Sequence, residues 1–210
     1  FWCLWFFNFS SRTILPPLLP VLENDLGISH TLAGSFFFYL SAGYTISLLA
    51  AGWVSARLGF KKSIALSSAV FAVSLFFLRF ADSYAYVSVV SFFMGLGTGS
   101  YLPSAIPLLT SIFKKENWGK AIAVHELAPN LSFVVAPLFA EAVLIWFSWR
   151  GALVLLGAAT VLITLLFASR SRAGDFAGEA PNFRSLSALA GAPSFWLMVL
   201  LFSLGISSTL

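Results

Sequence analysis

Residues 31–62 read TLAGSFFFYLSAGYTISLLAAGWVSARLGFKK. From Thr31 to Ala56 there is no charged side chain, and then Arg57, Lys61 and Lys62 arrive together. A bilayer core is crossed by about 20 apolar residues at about 1.5 Å each, so this stretch predicts a membrane-spanning helix ending in a basic loop. Its apolar residues follow no amphipathic stripe, as expected of a helix surrounded by lipid and other helices.

The same pattern recurs on both sides. A first span runs from Phe1 to about Leu22, with Arg12 as its one charge. A third, Ser63 to Leu78, is short, but Lys62 and Arg79 can snorkel from its ends. A fourth covers Ser83 to Phe113, a fifth Ala121 to Ile145, a sixth Gly151 to Ser169, and a seventh begins near Pro193. Runs this long and continuous exclude a β-barrel. The chain is 59% hydrophobic and 10% charged, where a soluble domain carries about a quarter charged residues, so its charges cannot cover a water-facing surface. The predicted fold is all-α and integral to the membrane.

Lys and Arg alternate strictly between loops. Arg57, Lys61, Lys62, Lys114, Lys115, Lys120, Arg170, Arg172 and Arg184 fall on one side, against Arg79 and Arg150 on the other, beside Glu23, Asp25 and Asp82. The positive-inside rule makes the first side cytoplasmic, and the N-terminus with it, in a multi-pass protein expected in the cell (inner) membrane. Residues 1–169 form a six-helix bundle in this reading, 170–192 a polar cytoplasmic linker, and 193–210 the start of a second bundle. The chain opens at Phe1 inside one apolar run and stops inside another, the pattern expected of a piece of a longer protein whose C-terminal half is missing.

Other classes find little support. A net charge of +4, scattered over loops, is not a nucleic-acid patch. One cysteine, Cys3, excludes an internal disulfide, and with two histidines leaves little for a zinc site. His125-Glu126 lacks the second His of a zinc-protease motif, since Pro129 occupies that position. No metal and no cofactor is implied.

The loop Gly52-Trp-Val-Ser-Ala-Arg57-Leu-Gly59-Phe-Lys61-Lys62 resembles the signature G-x-x-x-D-R-x-G-R-[RK] of the major facilitator superfamily, at the position where that family carries it. Gly52 suits close helix packing, Gly59 a tight turn, and Arg57, Lys61 and Lys62 can cap helix C-termini of a neighbouring bundle. Ala56 replaces the Asp to which the family's charge-relay latch is attributed, and Phe60 replaces an Arg. Gly95-Leu-Gly97-Thr-Gly99 resembles the family's glycine-rich fourth helix, with Ser91 where an Arg often precedes it, and Ala136-Pro137 is similar to a degenerate antiporter motif. The resemblance implies an N-terminal six-helix bundle of two inverted repeats, alternating access, and a secondary transporter rather than an enzyme. A multidrug/proton efflux carrier of the same superfamily is the alternative. A channel or membrane sensor, from different classes, would need a charged ring, a filter loop or an attached soluble domain.

Intramembrane charge carries the site prediction. Arg12 sits midway along the first span with Asn8 one turn earlier on the same face. A cation at that depth costs about 2.5–3.5 kcal/mol and persists when paired or functional. In organophosphate antiporters and related organic-anion carriers a first-helix Arg clamps the substrate, and the spacing of Arg12 and Pro20 is similar to theirs. A guanidinium fork suits phosphate or carboxylate. Two roles stand open for Arg12: holding an anionic small-molecule substrate, or pairing internally with Glu126. Glu126 and Asn130 share a face of the fifth span, about 9 and 15 Å from Lys120. Glu126 is either a proton-coupling residue or a shallow solvated carboxylate. His125 points elsewhere, as a packing residue or a proton relay. Tyr101, Ser104 and Thr98 are candidates for lining the cavity, and Gly52, Arg57, Gly59, Lys61 and Lys62 for a gating loop.

Overall fold

Pro16 and Pro17 decide the shape of the first span. They have no N–H to offer the carbonyls of Arg12 and Thr13, so helix α1 (Trp2–Thr13) stops at Ile14 and α2 (Leu15–Leu26) starts anew with both prolines in its first turn. The single span expected here is therefore two helical pieces. In the computed structural model, which describes residues 1–171 and 174–207, α2 ends on Gly27 in the left-handed conformation.

Ser29 caps the short α3 (His30–Gly34), and α4 (Phe36–Leu58) follows. Gly59, at φ 82° and ψ 159°, turns the chain directly into α5 (Phe60–Phe77) and a 3-10 turn, Leu78–Phe80. Only glycine enters that backbone region without strain. The expected fourth span is also divided: α6 (Tyr84–Gly99) stops at Ser100, and α7 (Tyr101–Ile112) continues, with Pro103 unable to donate to the Gly99 carbonyl. α8 (Trp118–Leu144) runs through Pro129 and Pro137, and α9 (Trp149–Arg170) starts at a Ser148 cap.

The chain divides into two compact units, Phe1–Gly178 and Glu179–Leu210. The second contains α10 (Phe183–Ala190) and α11 (Pro193–Ser207), so the stretch read as a polar linker includes a helix. Arg172, counted among the basic loop residues, lies outside the described residues. Among the described residues, five helical stretches are long and apolar enough to cross a membrane: His30–Leu58, Phe60–Phe80, Tyr84–Ile112, Lys115–Leu144 and Trp149–Arg170.

Within the first unit α4 packs along α6, α5 against α6 and α9, and α1 along α8. The α4–α6 crossing is a backbone-to-backbone approach. A Cβ on Gly43 would strike the Phe92 carbonyl, one on Gly95 that of Leu40, and one on Gly99 that of Tyr44. Gly97, on the opposite face, meets the Phe71 backbone of α5. Glycines thus let one helix touch two neighbours closely, where dispersion drives association because lipid offers no hydrophobic gain. At the end bearing Glu23 and Asp82, Arg150 donates to Asp25 Oδ2 at 2.6 Å and to the Ala81 carbonyl at 2.6 Å, tying three spans together. Trp149 Nε1 donates to the same carboxylate at 3.3 Å.

Candidate functional site

Arg12 occupies the last turn of α1, just before the break. Its Nη2 donates to Asn8 Oδ1 at 3.2 Å, and Asn8 Nδ2 donates to the Thr98 carbonyl of α6 at 3.2 Å. Asn8 is wholly buried, so both of its bonds replace water that cannot reach it. The Arg12 guanidinium carbon lies 4.1 Å from the ring centre of Phe9 and 5.1 Å from that of Tyr44 on α4. Arg12 Nε is buried and donates to nothing, and the residue forms no ion pair among the described residues.

The Arg12–Glu126 pair allowed by the sequence is therefore absent. Depth explains it. Thr13 Oγ1 donates to the Ser132 carbonyl at 3.4 Å, which sets the end of α1 level with a point six residues, roughly 9 Å, beyond Glu126. The Glu126 carboxylate instead meets His125 Nδ1 at 3.0 Å.

His125 is the buried member of that pair, at 3% exposure, while Glu126 remains partly exposed. Its imidazole lies parallel to Trp5 (centroids 5.6 Å apart) and Tyr101 (6.0 Å), and Trp5 and Tyr101 lie parallel at 4.9 Å. The Tyr101 hydroxyl donates to the Phe1 carbonyl at 2.9 Å and lies 3.4 Å from His125 Nε2. A polar chain thus runs Tyr101–His125–Glu126 from the buried aromatic cluster to the accessible carboxylate. Trp5 Nε1 and Ser104 Oγ are buried beside it without hydrogen-bond partners.

The structure groups the predicted residues as Asn8 with Arg12, and Tyr101 with His125 and Glu126. Asn130 joins neither group through its side chain: it is exposed, and its Nδ2 donates to the Glu126 backbone carbonyl at 2.9 Å. Thr98 enters through its carbonyl, while its hydroxyl donates to the Gly95 carbonyl. The predicted gating loop is helical apart from Gly59: Gly52 and Arg57 lie in the last turns of α4, and Lys61 and Lys62 in the first turn of α5. The Gly52 carbonyl accepts from Ser55 Oγ, Arg57 is exposed, and Lys62 pairs with Asp175 at 3.9 Å. Trp5, Phe9 and Tyr44 were not foreseen, because in a chain with 23 Phe, 7 Trp and 5 Tyr no single ring stands out. One signal was present for Tyr44: it shares α4 with Gly43, at the crossing where Gly95 and Gly99 meet its backbone.

The sequence model of the Major Facilitator Superfamily matches residues 1–210. The chain is 24% identical over 165 residues to the "Probable sulfoacetate transporter SauU" of Cupriavidus necator, covering 79% of this chain and 38% of that protein. It is 26% identical over 143 residues to the multidrug export protein EmrB of Haemophilus influenzae, covering 68% and 27%. Among solved structures, a POT family transporter in complex with 5-aminolevulinic acid superposes with a TM-score of 0.72 at 16% identity, over 99% of this chain and 46% of that one. The chain spans less than half the length of each of these relatives.

Proposed function

Since the chain belongs to the Major Facilitator Superfamily, we propose that it is the first half of a secondary transporter that carries a small organic anion by alternating access, with Arg12 as the group that receives it. One observation carries this reading: a guanidinium inside the bundle keeps a buried, unpartnered Nε and has no carboxylate against it among the described residues. A cation at such depth costs about 2.5–3.5 kcal/mol, and an anion arriving from the transport path offsets that cost. Asn8 holds the guanidinium in place, and Phe9 and Tyr44 flank it, which favours anions with an organic body. The sulfoacetate assignment of one relative agrees with this chemistry.

Glu126 serves as the proton-coupling carboxylate, with His125 and Tyr101 as its buried extension. Asn130 lines the path to Glu126, and Gly52, Arg57, Gly59, Lys61 and Lys62 form the gate at the cytoplasmic face of the inner membrane, where the N-terminus also lies. The similarity to EmrB favours a second reading, an efflux carrier for apolar drugs, in which the aromatic rings rather than Arg12 hold the cargo. Uptake by the full-length protein in proteoliposomes, with a panel of labelled sulfonates and carboxylates, separates the two. Arg12→Ala abolishes saturable anion uptake and Arg12→Lys retains part of it, because a point charge replaces a fork. Undiminished anion uptake by Arg12→Ala would sink the proposal.

A further inference from the structure

Helix α5 begins without a side chain able to cap it. Its N-cap is Gly59, held at φ 82°, so the residue that makes the turn possible cannot carry the Ser, Thr, Asp or Asn that usually accepts from the first-turn amides. The loop is also short of negative charge, with Ala56 at the signature's acidic position and Arg57, Lys61 and Lys62 around it.

Both deficits are met by the chain that follows α9. Asp175 Oδ1 accepts from the Lys61 backbone amide at 3.2 Å, the bond an N-cap side chain would make, and its Oδ2 lies 3.9 Å from Lys62 Nζ. A Cβ on Gly59 would collide with this carboxylate, so the glycine leaves room for it as well as making the turn. Two backbone bonds fasten the same segment: Phe60 donates to the Phe176 carbonyl at 3.0 Å, and Gly178 to the Ser55 carbonyl at 3.1 Å. The rings of Phe60 and Phe176 meet edge to face at 5.1 Å, and Lys61 Nζ donates to the Ser171 carbonyl at 2.9 Å.

We infer that Asp175 is a positioning residue of the gate loop: residues 174–178 form a brace that caps α5 from outside its own sequence, so that loop and brace move as one body. The functional part rests on reading Gly52–Lys62 as a gate, while the capping part does not. The brace lies within the first compact unit, and on this inference it stays docked on the loop during transport.

The test uses the full-length protein and two readouts, hydrogen–deuterium exchange over residues 57–62 and transport kinetics. Asp175→Ala speeds exchange there about tenfold and lowers kcat severalfold with KM unchanged, since Arg12 and its neighbours are untouched. Asp175→Asn keeps an oxygen for the Lys61 amide and remains within about twofold of the parent in both; it also serves if Asp175→Ala does not fold. A Ser55→Cys/Gly178→Cys pair, in a background with Cys3→Ser, closes a disulfide, and the oxidised and reduced forms of that variant transport at the same rate. Unchanged exchange in Asp175→Ala, an Asn variant as defective as the Ala one, or a disulfide that stops transport would each overturn the inference. Faster exchange with unchanged kcat would overturn the positioning role. If Arg57→Ala left kcat unaffected, the gate reading alone would fall, and the exchange data would still decide the cap.

Discussion

Arg12 and Asn8 form one unit: the guanidinium donates to Asn8 Oδ1 at 3.2 Å, one helical turn back, and Asn8 is anchored by its own amide to the Thr98 carbonyl of α6. The cation on α1 is thereby referenced to a second helix, and a change at either helix is felt at the guanidinium.

Asn8→Leu removes both bonds while keeping most of the volume. A hydrogen bond to a charged group contributes about 1.5–3 kcal/mol, so we expect KM for the anion to rise about ten- to hundredfold. Asn8→Asp places a carboxylate on the guanidinium and competes with the substrate, weakening binding further. Concentration-dependent uptake in proteoliposomes measures both.

Gly95→Val should be among the most damaging changes in the bundle. Its side chain would enter the Leu40 and Tyr44 backbone of α4, which cannot rotate away as a side chain could. Overpacking costs about 1–3 kcal/mol where neighbours yield, and more where they are backbone. Gly119→Ala, in the first turn of α8 with nothing within 4 Å of the new methyl, should gain about 0.5–1 kcal/mol. Thermal unfolding of the detergent-solubilised protein compares the two.

Arg150→Ala unties Asp25, the Ala81 carbonyl and the stacking on Trp149 at 4.3 Å. The pair is partly exposed, so the ionic part is screened and a total loss of about 1–2 kcal/mol is expected. Arg150→Lys recovers less than half, because an ammonium cannot serve the carboxylate, the carbonyl and the ring at once. Melting temperatures at low and high salt separate the ionic part from the rest.

Glu126→Gln keeps the shape of its contact with His125 but cannot carry a proton. Uptake driven by a pH gradient should be lost, while exchange of labelled for unlabelled substrate at equal pH persists. His125→Ala should impair both, since it also opens a void beside the stacked Trp5 and Tyr101 rings and costs about 2–4 kcal/mol in packing. Counterflow assays on the two variants check this.

The helices were legible because a bilayer imposes a requirement that each segment meets alone: an uninterrupted apolar run such as Thr31–Ala56, closed by charge. The glycines of Gly95–Gly99 and the turn at Gly59 could be read for the same reason, since a missing Cβ is a local property with a local use. Even the breaks at Ile14 and Ser100 had their cause in view, in prolines that follow them closely.

What only the tertiary structure decided depends on how far one helix slides and turns against another. The offset of α1 along α8 separates Arg12 from Glu126 and gives Arg12 to Asn8, Phe9 and Tyr44 instead. The rotation of α8 buries His125 and leaves Glu126 accessible, although the two are adjacent in sequence. Asp175 reaches the Lys61 amide from 114 residues away, and nothing near Gly59 announces it. Composition and spacing state what a segment needs from its solvent; partners are chosen by packing, which is a relation between segments.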